Sequence, residues 1–143
     1  MNLNEEYSVA AIVYHENEYL LLKYGLGHWE FVKGHKEANE SDEQTILREL
    51  REETGIIDAI IIKGFEESYD YKFTFDGQRI HKYVRCFLIN SNTKNVKISY
   101  EHEAYIWLPL DRAITQVTFK NAKNLLKRAE KFRKRNFRLS REI

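Results

Sequence analysis

Three glutamates, Glu49, Glu52 and Glu53, fall within five residues in the stretch RELREETG, Arg48 to Gly55. At ~100° per residue on a helix, with Glu49 at zero, Glu53 lands at roughly +40° and Glu52 at roughly −60°. All three side chains therefore leave one side. Clustered like charges cost free energy unless a cation lies among them. Arg48 and Arg51 are one source of compensation. A hard divalent ion is a stronger one, because carboxylate oxygens and water are what Mg²⁺ or Mn²⁺ accept. Glutamate-rich helices are more often solvated surfaces than metal sites, so the cluster alone does not decide between the two.

The spacing around the cluster does. Gly34, five residues, Glu40, seven residues, Arg48-Glu49-Leu50, Arg51, Glu52-Glu53, Thr54 and Gly55-Ile56 fill every defined position of GX5EX7REUXEEXGU, where U is apolar. Average residue frequencies put a chance match in such a chain at about one in 10⁷ or rarer. The chain resembles a Nudix hydrolase. The resemblance implies an α/β fold, an α/β/α sandwich with a mixed β-sheet and a loop–helix–loop. It also implies hydrolysis of a nucleoside diphosphate linked to another group. Glu49, Glu52 and Glu53 would be ligands of Mg²⁺, with Mn²⁺ a substitute, and Glu52 or Glu53 would deprotonate the attacking water. Arg48 would orient the carboxylates, Glu40 and Gly55 would complete the motif, and Gly34 would stand at a tight turn. Metal ions suit this reaction because they neutralise pyrophosphate oxygens, acidify water and stabilise the leaving phosphate.

Two flanking segments narrow the resemblance. HWEFVKGH, His28 to His35, and SYEHEAYIWLPLD, Ser99 to Asp111, are similar to the corresponding runs of asymmetrical diadenosine tetraphosphate hydrolases. The likeness extends from about Tyr7 to Phe132. It implies cleavage of the tetraphosphate bridge to ATP and AMP. His28, Lys33 and Lys82 would contact the polyphosphate, and Tyr71 and Phe119 would be the walls of an adenine slot. Glu101 would add a metal carboxylate, with Glu103 its rival. One position departs: Val32 stands where the family usually has proline. Independently of any family, a base between two rings gains ~1–3 kcal/mol, and a polyphosphate needs several cations. Tyr71 and Phe119 read equally as core-filling residues, and Tyr69 and Tyr83 are further aromatic candidates. Trp29 reads as a packing residue, His15 and His81 as surface or hairpin residues, and His102 as ambiguous.

The elements that must position these groups are legible as patterns. YSVAAIVY and EYLLLKY read as a hairpin around His15 to Glu18. Ser41-Asp42-Glu43-Gln44 is a capping-box pattern that opens a helix running to about Thr54, with Gly55 free to take the left-handed C′ position. AIIIKGFEESYDYKF is strand-like with an interruption at Gly64. Asp76-Gly77 turns into the strand RIHKYVRCFLI. Asn90 to Asn95 is a loop, and a strand around Ala104 to Leu108 stops at Pro109. Ala122, Leu125, Leu126, Ala129 and Phe132 form one apolar helical stripe, predicting a basic amphipathic helix over about 119–135.

The bulk composition agrees. At 143 residues, with 43% hydrophobic and 31% charged side chains, the chain reads as one domain, residues 1–143. The single cysteine, Cys86, excludes an internal disulfide and reads as a buried thiol in a reducing cytoplasm. No apolar run approaches the ~20 residues of a membrane span, and the first residues lack a signal-peptide pattern. No membrane association and no obligate protein partner are inferred. From Lys120 to Ile143, ten Lys/Arg stand against Glu130 and Glu142, a local +8; the net charge of +1 leaves −7 for the rest. The basic segment is a solvated helix face or a surface that steers a polyanion. A dinucleoside polyphosphate is the expected substrate. The alternatives are removal of pyrophosphate from RNA 5′ ends, cleansing of a nucleotide pool, and a non-catalytic nucleotide sensor, which the complete set of carboxylates disfavours.

Overall fold

A computed structural model describes residues 4–141. The elements are β1 (Asn4–His15), β2 (Glu18–Tyr24), β3 (Trp29–Glu30), β4 (Val32–His35), α1 (Asp42–Thr54), β5 (Ala59–Ile61), β6 (Glu67–Phe75), β7 (Gln78–Ser91), β8 (His102–Leu108), α2 (Leu110–Gln116) and α3 (Lys120–Arg141). β1 lies at the centre of a mixed sheet. It pairs in parallel with β7 along eleven residues, from Asn4↔Ile80 to Tyr14↔Asn90, while every other ladder is antiparallel. The hairpin of β1 and β2 is real but short. Only Tyr14↔Tyr19 and His15↔Glu18 pair before the strands part. β1 then takes β4 as its neighbour, and β2 takes β3 and β8.

Helices cover both faces of this sheet. Val9, Ala11 and Val13 of β1 pack with Ile46 and Leu50 of α1, whereas Ala10 and Ile12 pack with Ala113 of α2 and with Leu125, Leu126 and Ala129 of α3. A strand buried on both faces has to be apolar continuously, which is why SVAAIV lacks polar alternation. The three layers are the expected sandwich.

Local sequence sets the ends of α1. Ser41 Oγ accepts from the Gln44 N–H at 3.1 Å, and the Gln44 side chain accepts from the Ser41 N–H at 2.8 Å. Gly55 closes the helix at φ 75°, its N–H donating to Arg51 O at 2.8 Å. The Asp76-Gly77 turn joins β6 to β7 with φ 50° and 75°. Three features exceed the sequence expectations. β3 and β4 are strands within what read only as a motif-bearing segment, and Pro109, expected as a stop, also begins α2. α3 runs past the expected 135 to Arg141.

Candidate metal centre and nucleotide cleft

Arg48 organises the carboxylate helix. Its Nε and Nη2 grip Glu40 at 2.7 and 3.1 Å, and its Nη1 donates to Glu49 at 2.9 Å and Glu52 at 3.1 Å. Nη2 also donates to the His35 carbonyl at 3.0 Å, and Glu37 lies 3.6 Å from Nη1. This guanidinium holds the Glu40 carboxyl well below the usual range, at about 2. Glu40 accepts further from Thr45 Oγ1 and from the Glu37 N–H. Its place is therefore structural: it clamps the arginine that aims the others.

Gly34 is not at a tight turn. It belongs to β4, opposite Val9 of β1, and its requirement is space. A Cβ at this position would lie 2.1 Å from Glu49 Cγ and Cδ. Val32, where the family has proline, is buried against α1 and opposite Ala11, so the strand continues through it and fixes Lys33 opposite Ala10.

The cleft of about 600 Å³ between α1, β4 and the segment before β8 collects Glu49, Glu52, Glu53 and Glu101. That segment is tied to the end of α1. Lys97 N–H donates to Thr54 O at 2.8 Å, and Ser99 N–H to Glu53 O at 3.2 Å. Glu101 and His102 are thereby brought to Glu53, and ligand atoms of the three lie within 4.8 Å of one another. Glu103, the rival of Glu101, points elsewhere and pairs with Lys23 at 3.6 Å.

Glu53 is buried and meets His102 Nε2 at 3.0 Å through Oε1. Its Oε2 has no hydrogen-bond partner among the described residues. Burial first, then the Glu49 carboxylate, pushes Glu53 up to about 8; burial pulls His102 down. Glu49 is raised as well, again mainly by burial. An orphaned, buried carboxylate oxygen among further carboxylates is the donor set a hard divalent cation takes. The residues fit such an ion. His102 was the ambiguous residue of the sequence. Its place explains it, since an imidazole hydrogen-bonded to a buried carboxylate fixes that carboxylate's orientation. The nearby Tyr24 ring meets His102 edge-on at 4.6 Å.

On the opposite face of β4 a second cavity, of about 370 Å³, is lined by Tyr71 and Phe119, with Lys33 and Glu30 at its floor. Phe119 is 49% exposed, and Thr118 ties it to β3 through reciprocal bonds with the Trp29 backbone at 2.9 and 3.2 Å. Trp29 itself packs on the core, as read. Lys33 Nζ pairs closely with buried Glu30 and lies 5.6 Å from the Tyr69 ring centroid. Lys82 is half-buried, opposite Tyr71 in the β6–β7 ladder, and burial and the Lys33 charge lower its pKa. His28 stands apart from the lysines. It stacks on Tyr24 at 4.8 Å and lies 5.4 Å from the Phe119 ring. Sequence reasoning missed Glu30; the signal was one acidic residue inside the aromatic stretch WEF.

The raised Glu53 carries a sign. Because the fold holds this proton more tightly than the unfolded chain, the associated stability is present below the ordinary value of 4.5 and is lost as pH rises through about 8. An ion that displaces the proton reverses that loss. The gain in melting temperature on adding millimolar Mg²⁺ should be larger at about pH 9 than at about pH 6. An equal gain at both would show that Glu53 is not engaged. Gly34→Ala should keep the fold by circular dichroism and weaken Mg²⁺ binding at least about ten-fold, since the added methyl displaces Glu49. Undiminished Mg²⁺ binding in this variant would refute the packing argument.

Comparison with known proteins places this geometry. The profile of the NUDIX domain matches residues 5–132. The chain is 38% identical over 120 residues to the asymmetrical bis(5'-nucleosyl)-tetraphosphatase of Sus scrofa and 39% identical over 121 residues to that of Mus musculus, covering 80% of this chain and of each relative. A crystal structure of a C. elegans Ap4A hydrolase binary complex superposes with a TM-score of 0.74 at 25% identity, covering 89% of this chain and 96% of that one. With its complete motif folded around Arg48 and the matched profile spanning most of its length, the chain belongs to the Nudix hydrolase family.

Proposed function

We propose that the protein is a Mg²⁺-dependent hydrolase that cleaves the bridge of diadenosine tetraphosphate to ATP and AMP. One observation carries the substrate reading: the slot lined by Tyr71 and Phe119 adjoins the carboxylate cleft, and Lys33 lines both. A base held in the slot delivers its phosphates to the carboxylates. The likeness to tetraphosphatases over most of the chain supports the same substrate.

In this reading Glu49, Glu52, Glu53 and Glu101 hold the cation. When bound, it neutralises phosphate oxygens and acidifies water. Lys33 and Lys82 offset charge on the bridge, and Tyr71 and Phe119 sandwich adenine. Arg48 fixes Glu49 and Glu52 so that little reorganisation is left for the reaction. Glu52 or Glu53 is suited to receive a proton from the attacking water, and Glu53 Oε2 has no hydrogen-bond partner among the described residues. His28 stands at the rim of the slot beside Phe119 and meets the phosphate nearest the base. The working compartment is the cytoplasm, consistent with the buried, unpaired Cys86.

A second substrate class has one specific observation behind it. Lys127, Lys131, Lys134 and Arg138 recur at i, i+4, i+7 and i+11 of α3, one continuous basic stripe that an RNA backbone could follow. Other basic residues of α3 are engaged in packing. Arg133 lies 3.7 Å over the Tyr14 ring, and Lys123 Nζ donates to the Ile114 and Val117 carbonyls.

Incubation with Mg²⁺ and diadenosine tetraphosphate should yield ATP plus AMP on ion exchange. Two ADP would mean symmetrical cleavage, and no turnover would move the assignment to RNA ends or nucleoside triphosphates. Glu52→Gln and Glu53→Gln should each lower kcat by about two orders of magnitude or more with the fold intact. Near wild-type turnover in both would end the metal-helix mechanism.

A further inference from the structure

The opposite face of the same strands carries a second aromatic surface. At the end of β1 that α1 leaves uncovered, Tyr7 and Tyr83 stack with centroids 5.2 Å apart and planes 12° apart. His81 continues the row, 4.2 Å from Tyr83 at 25°. Asp70 on β6 holds His81 Nε2 at 2.6 Å, and the Tyr83 hydroxyl lies 3.2 Å from His81 Nδ1. The row is thus clamped at its inner end. Its outer end is Tyr7, 63% exposed, and no second ring stacks on it among the described residues. Cross-strand pairing accounts for two neighbouring rings. A row of three with an open terminal face is the surface on which a further flat ring stacks. A cavity of about 480 Å³ opens beside it, bounded by Lys36, Asp42 and Arg85.

The position of this shelf gives it a use. β4 is the outer strand at this end of the sheet, with the Tyr71–Phe119 slot on one face and the shelf on the other. Lys33 lines both the slot and the carboxylate cleft, and Lys36, three residues further on, lines both the cleft and the shelf. Its ammonium lies 4.0 Å from Asp42, the limit of an ion pair. Slot, cleft and shelf therefore form one path around the edge of β4. A molecule with a flat base at each end and several phosphates between has this sequence of parts. We propose that the shelf of Tyr7, Tyr83 and His81 receives the second nucleoside of a dinucleoside polyphosphate, with Lys36 meeting the phosphates that lead to it. This rests on the substrate reading above and extends it to the half of the molecule beyond the cleft.

The test compares a ligand with two bases to one with a single base. Diadenosine tetraphosphate is assayed as substrate, and adenosine 5′-tetraphosphate as a competitor that fills slot and cleft only. Tyr7→Ala, at an exposed position, should raise KM for the dinucleotide about five-fold or more and leave the inhibition constant of the mononucleotide unchanged. Tyr7→Phe, which keeps the ring, should restore the wild-type KM. An unchanged KM in Tyr7→Ala, or an equal shift in both constants, overturns the shelf while leaving the substrate reading intact. Absence of dinucleotide hydrolysis by the unsubstituted protein overturns both.

Discussion

A single guanidinium makes the rest possible. Glu37, Glu40, Glu49 and Glu52 all approach Arg48 within 3.6 Å, and without that cation the helix would gather charges that repel one another with nothing between them. Glu40 and the His35 carbonyl fix the arginine from the loop side, so the loop before α1 and the helix itself share one anchor. The compensation is selective. Glu53 is the motif carboxylate outside the reach of Arg48 and is also the one pushed up to about 8. Arg48 offsets part of the charge of the four acids around it, and Glu53 lies beyond its reach.

Much of this was legible in the sequence where the information is local. The capping box at Ser41, the glycine closing α1, the Asp76-Gly77 turn and the stripe of α3 are each decided by a few adjacent residues, and each was read correctly. The common direction of Glu49, Glu52 and Glu53 follows from helix geometry alone. What failed to show is what depends on partners distant in sequence. β3 and β4 are too short to carry a period, and they are strands because β1 and β2 offer them edges. Gly34 resembled a turn residue, yet its reason is the Glu49 side chain packed against it fifteen residues later. His102 owes its place to Glu53, forty-nine residues back, and a linear pattern holds no trace of that pairing.

The charge asymmetry of the sequence resolves into a spatial division. Acidic groups concentrate around α1 and the segment before β8, whereas basic groups of α3 lie on the far layer. Part of the excess positive charge serves architecture. Arg133 reaches from α3 to the Tyr19 hydroxyl and the Glu16 carbonyl, and so braces the β1–β2 turn. A count of lysines and arginines therefore overstates what is left to attract an anion.

The parallel pairing of β1 with β7 has a consequence in time. Asn4 waits for Ile80, and Tyr14 for Asn90, a separation of seventy-six residues. During synthesis α1 and its carboxylates emerge while the central strand still lacks its longest partner. The loop that brings Glu101 to Glu53 follows later still. Closing such distant contacts is entropically costly and slows folding. The carboxylate helix thus exists as sequence before its neighbours exist to complete the cluster, and Glu101 joins Glu53 only once the segment before β8 has been made.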